Sequence, residues 1–367
     1  MSTTGEIVRK LIHAQVKGDK TGFRAAVEEF VKEERRKNHH LLARDIERLL
    51  KNGASSSDFS NSLSLIGANS DDLPRDKERG IFLVEIIEPK RTLESLVIPL
   101  EIRAQLDLIV QENRKGEILR THGLLPISRV LFCGPSGCGK TVGAEAVAQA
   151  LYLPLVLVRF DAVVSSYLGE TASNLRKVFD FARTRPMVIL FDEFDAIGKH
   201  RTDEEDHGEL KRVVNSFLQM LDNYRGETLL IAATNHQGLL DSALWRRFDE
   251  IVYFDRPETD AIEEVLRRNV RQIGLDPRIN LSKVSSGLIG LSHADAERIA
   301  LQAVKSTLLA NQNTISSNTL QNSSKSHKKR VALTREMTDF SRTNQTNSSK
   351  SENLATDLAD EGKTYNG

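Results

Sequence analysis

The chain has 367 residues, 39% hydrophobic and 28% charged, with 51 Lys plus Arg against 51 Asp plus Glu and a formal net charge of zero. That length admits two compact domains with extras, and the charge balance argues against a protein built mainly to coat nucleic acid or an anionic membrane. No apolar run approaches the roughly 20 residues of a membrane helix, the N-terminus lacks the apolar stretch of a secretory signal, and Cys133 and Cys138 alone give no disulfide framework, so a cytoplasmic setting is expected.

Residues 1–53 carry helical patterning. Val8, Leu11, Ile12 and Val16 make one apolar stripe. Phe23, Val27, Phe30 and Val31 make a second. Leu41, Leu42, Ile46, Leu49 and Leu50 make a third, which stops at Gly53. Three short amphipathic helices are expected here, a small region suited to docking a partner or substrate. The run KEERRKNHH between the second and third stripes reads as a basic docking patch or as a solvated helix end. Residues 54–79 are rich in Ser, Asn and Asp and read as a linker. The apolar run IFLVEII follows, a strand that starts the main domain or packs on its edge.

Residues 80–256 alternate strand with helix. The runs RVLFC (129–133), LVLVRF (155–160), MVILF (187–191), TLLIAAT (228–234) and IVYF (251–254) are short, continuous and apolar. Such runs suit strands buried on both faces of a parallel sheet. The expected fold is a three-layer α/β domain with a parallel five-stranded sheet. Residues 257–320 hold no convincing strand run and read as helical. Residues 321–367 are poor in apolar side chains and read as a disordered polar tail. Within it, SHKKR reads as a basic contact or as a solvated tail segment.

The first expected strand runs into GPSGCGKT, a P-loop pattern made by Gly134, Pro135, Ser136, Gly137, Cys138, Gly139, Lys140 and Thr141, with Val142 opening the following helix. Glycines let backbone N–H groups wrap a phosphate, and the helix N-terminus adds favourable partial charge. Lys140 would reach the β- and γ-phosphates of ATP, and Thr141 would ligate Mg²⁺. The third strand ends in Asp192 and Glu193. An acid at the C-terminal end of a strand beside the P-loop can hold Mg²⁺ through water, and Glu193 would polarise the attacking water. Cys133 and Cys138 flank this site, either as small residues in small positions or, for Cys138, as a thiol against the phosphates whose modification would block ATP.

With HGELKRVVNSFLQMLD (207–222), LLIAATNH (229–236), LLDSALWRRFDE (239–250) and GLSHADAERIA (290–300) following in that order, the chain resembles the AAA family of ATPases, within the AAA+ class. The resemblance spans about residues 92–320 and is nearest the branch containing katanin and spastin. It implies a P-loop ATPase domain with a helical lid over 257–320. Residues 207–222 would line the subunit boundary. Asn235 would orient the water and sense the γ-phosphate. Arg246 and Arg247 would reach the next subunit's site as arginine fingers, worth ~10³–10⁵ in rate in related GTPase systems. Ala294 would touch the adenine on the lid, where His293 replaces the usual glycine, and Leu96 and Ile98 would flank the adenine's other side. Arg298 is either a lid arginine that senses phosphate or a surface residue.

The resemblance further implies a homo-oligomeric ring of six subunits with one ATPase tier, working on protein substrates. Tyr167, Leu168 and Gly169 fit the family's pore loop, with a helix starting near Glu170. An aromatic and an aliphatic residue grip any polypeptide through nonpolar contact, whereas a nucleic-acid motor would place Lys or Arg there. No H-E-x-x-H zinc motif occurs, so degradation of a substrate would need a separate protease. Two further readings stay open: a regulatory ATPase controlling a separate effector, and a nucleic-acid motor.

Overall fold

The computed structural model describes residues 25–27, 29–32, 72–164, 168–194, 207–235 and 245–333. The chain divides into two compact units, Met1–Asp255 and Arg256–Gly367. Among the described residues no helix is long and apolar enough to cross a membrane.

The first unit is built on a six-stranded sheet: β1 (Val84–Ile87), β2 (Arg129–Cys133), β3 (Leu155–Val158), β4 (Val188–Phe191), β5 (Leu229–Thr234) and β6 (Glu250–Tyr253), in the order β1-β3-β4-β5-β2-β6. The five expected strands form its parallel part. The run IFLVEII supplies the sixth, antiparallel to β3 with Val84 opposite Val158. This short strand covers an edge of β3 that would otherwise present unpaired backbone groups.

The helices of this unit are α1 (Leu100–Arg114), α2 (Gly116–Thr121), α3 (Lys140–Ala150), α4 (Phe160–Val163), α5 (Leu168–Ala182) and α6 (His207–Asp222). Successive strand residues point to opposite faces, so each apolar run feeds two cores. Leu131, Val156, Ile189, Phe191 and Leu230 join one core, beneath α5 and α6. There the Phe179 ring stacks on Phe191 at 5.6 Å and Phe217 meets Phe191 edge-on at 5.2 Å. Val130, Phe132, Val188, Leu190 and Ile231 join the other, with Leu106 and Ile109 of α1 and Ala144 and Val147 of α3. Burying one such large side chain stabilises by about 1.5–3 kcal/mol, which is why neither face of the sheet tolerates a polar run.

The last eight residues of the expected linker are folded rather than linking. Leu73 is buried in the α5/α6-side core. Asp76 is also buried and accepts from the Glu78 and Arg79 N–H groups and from Asn174 Nδ2 at 3.0 Å. A buried carboxylate with three donors is satisfied, so this polar segment docks without an apolar pattern. Residues 25–27 and 29–32 are helical, with Val27 and Val31 of the second apolar stripe buried. The other two stripes and residues 54–71 lie outside the described residues.

The second unit is helical: α7 (Thr259–Val270), α8 (Leu281–Ser286), α9 (His293–Leu309) and a further helix, α10, over 317–333. A capping box starts α9, with the Ser292 hydroxyl and the Asp295 carboxylate exchanging hydrogen bonds with each other's backbone N–H. Helix α10 corrects the expectation of a disordered tail from residue 321. Its buried positions are Leu320, Ser323 and His327, at helical spacing. Two of the three are polar, so hydrophobic patterning missed them. The His327 ring meets Asp295 through Nε2···Oδ1 at 2.8 Å, and Lys328 Nζ donates to the Gly287 carbonyl. Residues 334–367 lie outside the described residues.

Candidate functional site

The strand register sets the site. Cys133 of β2 pairs with Thr234 of β5, and Phe191 of β4 pairs with Ala232 of β5. Three strands therefore end at one rim, and the segments leaving them converge there, as ligand sites of open α/β sheets do. The loop from Gly134 to Gly139 leaves β2 and α3 begins at Lys140. Gly134 has φ +137°, and a Cβ there would stand 2.1 Å from the Phe254 carbonyl oxygen. Gly139 caps α3 with φ +101°, a conformation that L side chains rarely adopt. Neither position accepts another residue without displacing the loop.

Lys140 is 6% exposed, and its Nζ donates to the carbonyls of Gly134 at 2.7 Å and Pro135 at 2.9 Å and to Asn235 Oδ1 at 2.7 Å. A buried ammonium needs this full set of acceptors. The contact brings Lys140 and Asn235, 95 residues apart, into one cluster. One residue on, Thr141 Oγ1 donates to Asp192 Oδ2 at 2.6 Å. A hydroxyl and a carboxylate, both hard oxygens beside a phosphate loop, are the donor set Mg²⁺ takes up together with phosphates, so the residues fit that ion.

Glu193 follows with an exposed side chain and φ +51°. For a non-glycine residue that costs on the order of 1 kcal/mol or more. The conformation is held from both sides, by Glu193 N–H donating to Asp192 Oδ1 at 2.9 Å and Phe194 N–H donating to the Ala233 carbonyl at 2.8 Å. The acid is thereby turned out from the end of β4 while Phe194 is buried beneath it.

Ser136 of the loop is exposed, and Pro135, Gly137 and Val142 are half-buried. Cys138 is 1% exposed and belongs to the core cluster with Ala144 and Val147. That placement suits a small core residue rather than a thiol presented to phosphate. Burial pushes the Cys133 thiol up from its usual range, against the pull of the Lys140 charge. Leu96 and Ile98 pack, partly buried, against that same cluster.

Arg246 is exposed, and Arg247 is half-buried with its Nε on Asp222 Oδ2 at 2.7 Å. The adjacent pair thus divides, one guanidinium on the surface and one held by the last residue of α6. Asp222 carries no motif of its own, and the sequence reading missed it. The reading also missed Asp249, which accepts from the backbone N–H groups of Ser128 and Arg129 and from the Arg129 guanidinium. Burial works to raise its carboxyl, and Arg129 with these N–H groups outweighs burial, holding it below the usual carboxylate range. Asp249 therefore anchors the start of β2 to the entry of β6, just after the arginine pair.

Tyr167 lies outside the described residues. Leu168 and Gly169 form the first turn of α5, so that helix begins two residues earlier than Glu170. Ala294 lies in the second unit, exposed in the first turn of α9. His293 has no positive φ, so its position in the lid motif does not require the usual glycine. Lys140, Thr141, Asp192, Glu193 and Asn235 come together at one rim, whereas Ala294 belongs to the separate helical unit.

The sequence model of the ATPase family associated with various cellular activities (AAA) matches residues 130–256, which span β2 to β6. An uncharacterised AAA family ATPase, y4kL, of Sinorhizobium fredii is 42% identical over 308 residues, 83% of this chain and 89% of that protein. A proteasome-activating nucleotidase of Methanoculleus marisnigri is 33% identical over 267 residues, 70% of this chain and 63% of that one. An ATP-dependent zinc metalloprotease, FtsH 3, of Sphaerobacter thermophilus is 33% identical over 236 residues, 63% of this chain and 48% of that one. These relatives do not show the katanin and spastin branch. With the P-loop rim assembled and a relative 42% identical across 89% of its own length, the chain belongs to the AAA family of ATPases.

Proposed function

We propose that this chain is a ring ATPase that remodels, unfolds or threads protein substrates through a central pore. The observation that carries the ATPase part is the joined cluster at the sheet rim, Lys140 with Asn235 and Thr141 with Asp192. Backbone N–H groups of residues 136–139 receive the phosphates of ATP. The Lys140 ammonium, held at the loop mouth by three oxygens, exchanges one of them for a phosphate oxygen. Mg²⁺, when bound, neutralises charge on the phosphates, and Thr141 and Asp192 are the residues that would hold it. Glu193, turned out from β4, accepts a proton from the attacking water, and Asn235 orients that water. Arg246 reaches the neighbouring subunit's site, and Arg247, anchored on Asp222, sets its position. A finger that works in trans requires an oligomer, and a head-to-tail interface closes into a ring where its rotation allows.

Tyr167, Leu168 and Gly169 are proposed to grip the substrate polypeptide. The names of the nucleotidase and the metalloprotease, both tied to proteolysis, support protein as the substrate class. The nucleotidase's name also favours a second reading, an ATPase serving a separately encoded protease. Neither relative's name favours a nucleic-acid motor. The test is Glu193→Gln in the full chain. It should bind ATP, stay assembled and lose hydrolysis, and substrates trapped on it in cells should be polypeptides. Hydrolysis at the normal rate sinks the catalytic assignment, and recovery of nucleic acid in place of protein sinks the substrate class.

A further inference from the structure

The basic run SHKKR is absorbed by nothing in the ATPase reading, and the structure gives it a place. Helix α10 packs beside α9, and a groove of about 660 Å³ lies between them. On α9 its lining falls at Ala294, Arg298, Leu301, Gln302 and Lys305, a three-to-four spacing that keeps one face over roughly 16 Å of helix. From the basic run, Ser326, His327 and Arg330 line the opposite wall. The wall is preformed, because His327 is buried against Asp295 at 2.8 Å and Lys328 is tied to the Gly287 carbonyl.

The chemistry of the groove is cationic. Arg298, Lys305 and Arg330 face it against one acid, Glu297. All three cations are exposed, and no ion pair with an acid holds Arg298 or Lys305 among the described residues. Arginine forks match phosphate oxygens bidentately, and Gln302 and Ser326 add neutral donors. Leu301, 43% exposed, gives the groove an apolar strip for an uncharged part of a ligand. The volume falls in the range of small-molecule sites, about 300–1,000 Å³. A long polyanion would want an unbroken basic stripe, and Glu297 interrupts this one. We propose that the α9/α10 groove, lined wholly by residues of the second unit, is an anion site that takes a compact phosphate-bearing small molecule.

The experiment is calorimetric titration of sodium pyrophosphate into the full chain carrying Lys140→Ala, which weakens phosphate binding at the P-loop. Saturable binding is expected. Adding Arg298→Ala and Lys305→Ala together should weaken it by at least about 10-fold, as loss of a charge-assisted hydrogen bond predicts, and Arg298→Lys should weaken it less. Circular dichroism and melting of each variant report folding, with Arg330→Ala as an independent variant of the other wall. No saturable binding to the Lys140→Ala chain, or equal affinity with and without Arg298 and Lys305, overturns the site. Tighter binding of single-stranded DNA or of a poly-glutamate peptide than of pyrophosphate, at equal ionic strength, overturns the ligand class.

Discussion

The rim of the first unit and the α9/α10 pair of the second are both polar assemblies, but they are held by different means. At the rim, polar side chains stand on strands whose every described residue in β4 and β5 is buried. The apolar core fixes where each strand ends, and Lys140, Asp192 and Asn235 inherit those positions. In the second unit polar contacts join buried apolar side chains such as Ile299 and Leu320 in placing the helices: Ser292 with Asp295, and Asp295 with His327. A polar residue at the rim can therefore be removed with loss of chemistry and little loss of fold. Removing one from the helix pair takes away a contact that holds the fold.

The largest effect is expected of Lys140→Ala. It should abolish ATP hydrolysis, by more than about 100-fold as loss of a transition-state charge contact implies. The far-ultraviolet dichroism should stay native, and a collapse of secondary structure would contradict the division of roles. Next comes the arginine pair. Arg246→Ala should cost about 10³-fold or more in ATPase rate, on the scale of a trans arginine. Arg247→Ala should cost less and be mimicked by Asp222→Ala. Equal losses for both arginines, with Asp222→Ala silent, would show that the Asp222 contact positions nothing.

His327→Leu should leave hydrolysis by the assembled rim in place and destabilise the chain by about 1–3 kcal/mol, since it takes from Asp295 Oδ1 its buried imidazole partner. Thermal melting reads this, and an unchanged melting curve would mean that α10 is not held through Asp295. The acid limb of stability gives a smaller effect. Asp249 has a folded pKa below its ordinary value, so its contribution is present above that ordinary value and lost as pH falls through the folded one. Arg129→Ala should therefore flatten the decline of stability below about pH 4, measured by denaturant unfolding across pH. The smallest effect belongs to Cys138→Ala, which should change ATP affinity by less than about 3-fold, a cost of well under 1 kcal/mol.

Much of the rim is legible in residues alone. The runs RVLFC, MVILF and TLLIAAT each end in a polar segment, and a parallel sheet collects those ends. The partnership of Arg247 with Asp222 carried no such signal, because no spacing relates two residues 25 apart on separate elements. Asp76, Asp249 and His327 were illegible for a related reason. Each is a polar side chain whose partners are brought to it only in the folded chain, and hydropathy patterns count such residues as solvent-facing. The edge strand β1 lies between these cases, since its apolar run marked a strand and only the pairing with β3 told its direction.

The glycines, Lys140 and the acids of one strand end mark a candidate phosphate site in the residues alone, because phosphate wrapping admits few residue types. The alternation of buried strands is equally plain there, because only apolar runs survive burial on both faces. Which polar groups meet follows from the folded chain: Lys140 with Asn235, Arg247 with Asp222, Asp295 with His327. Hydrogen bonds act over about 3 Å, and the distances that make them are set by packing between elements far apart in the chain.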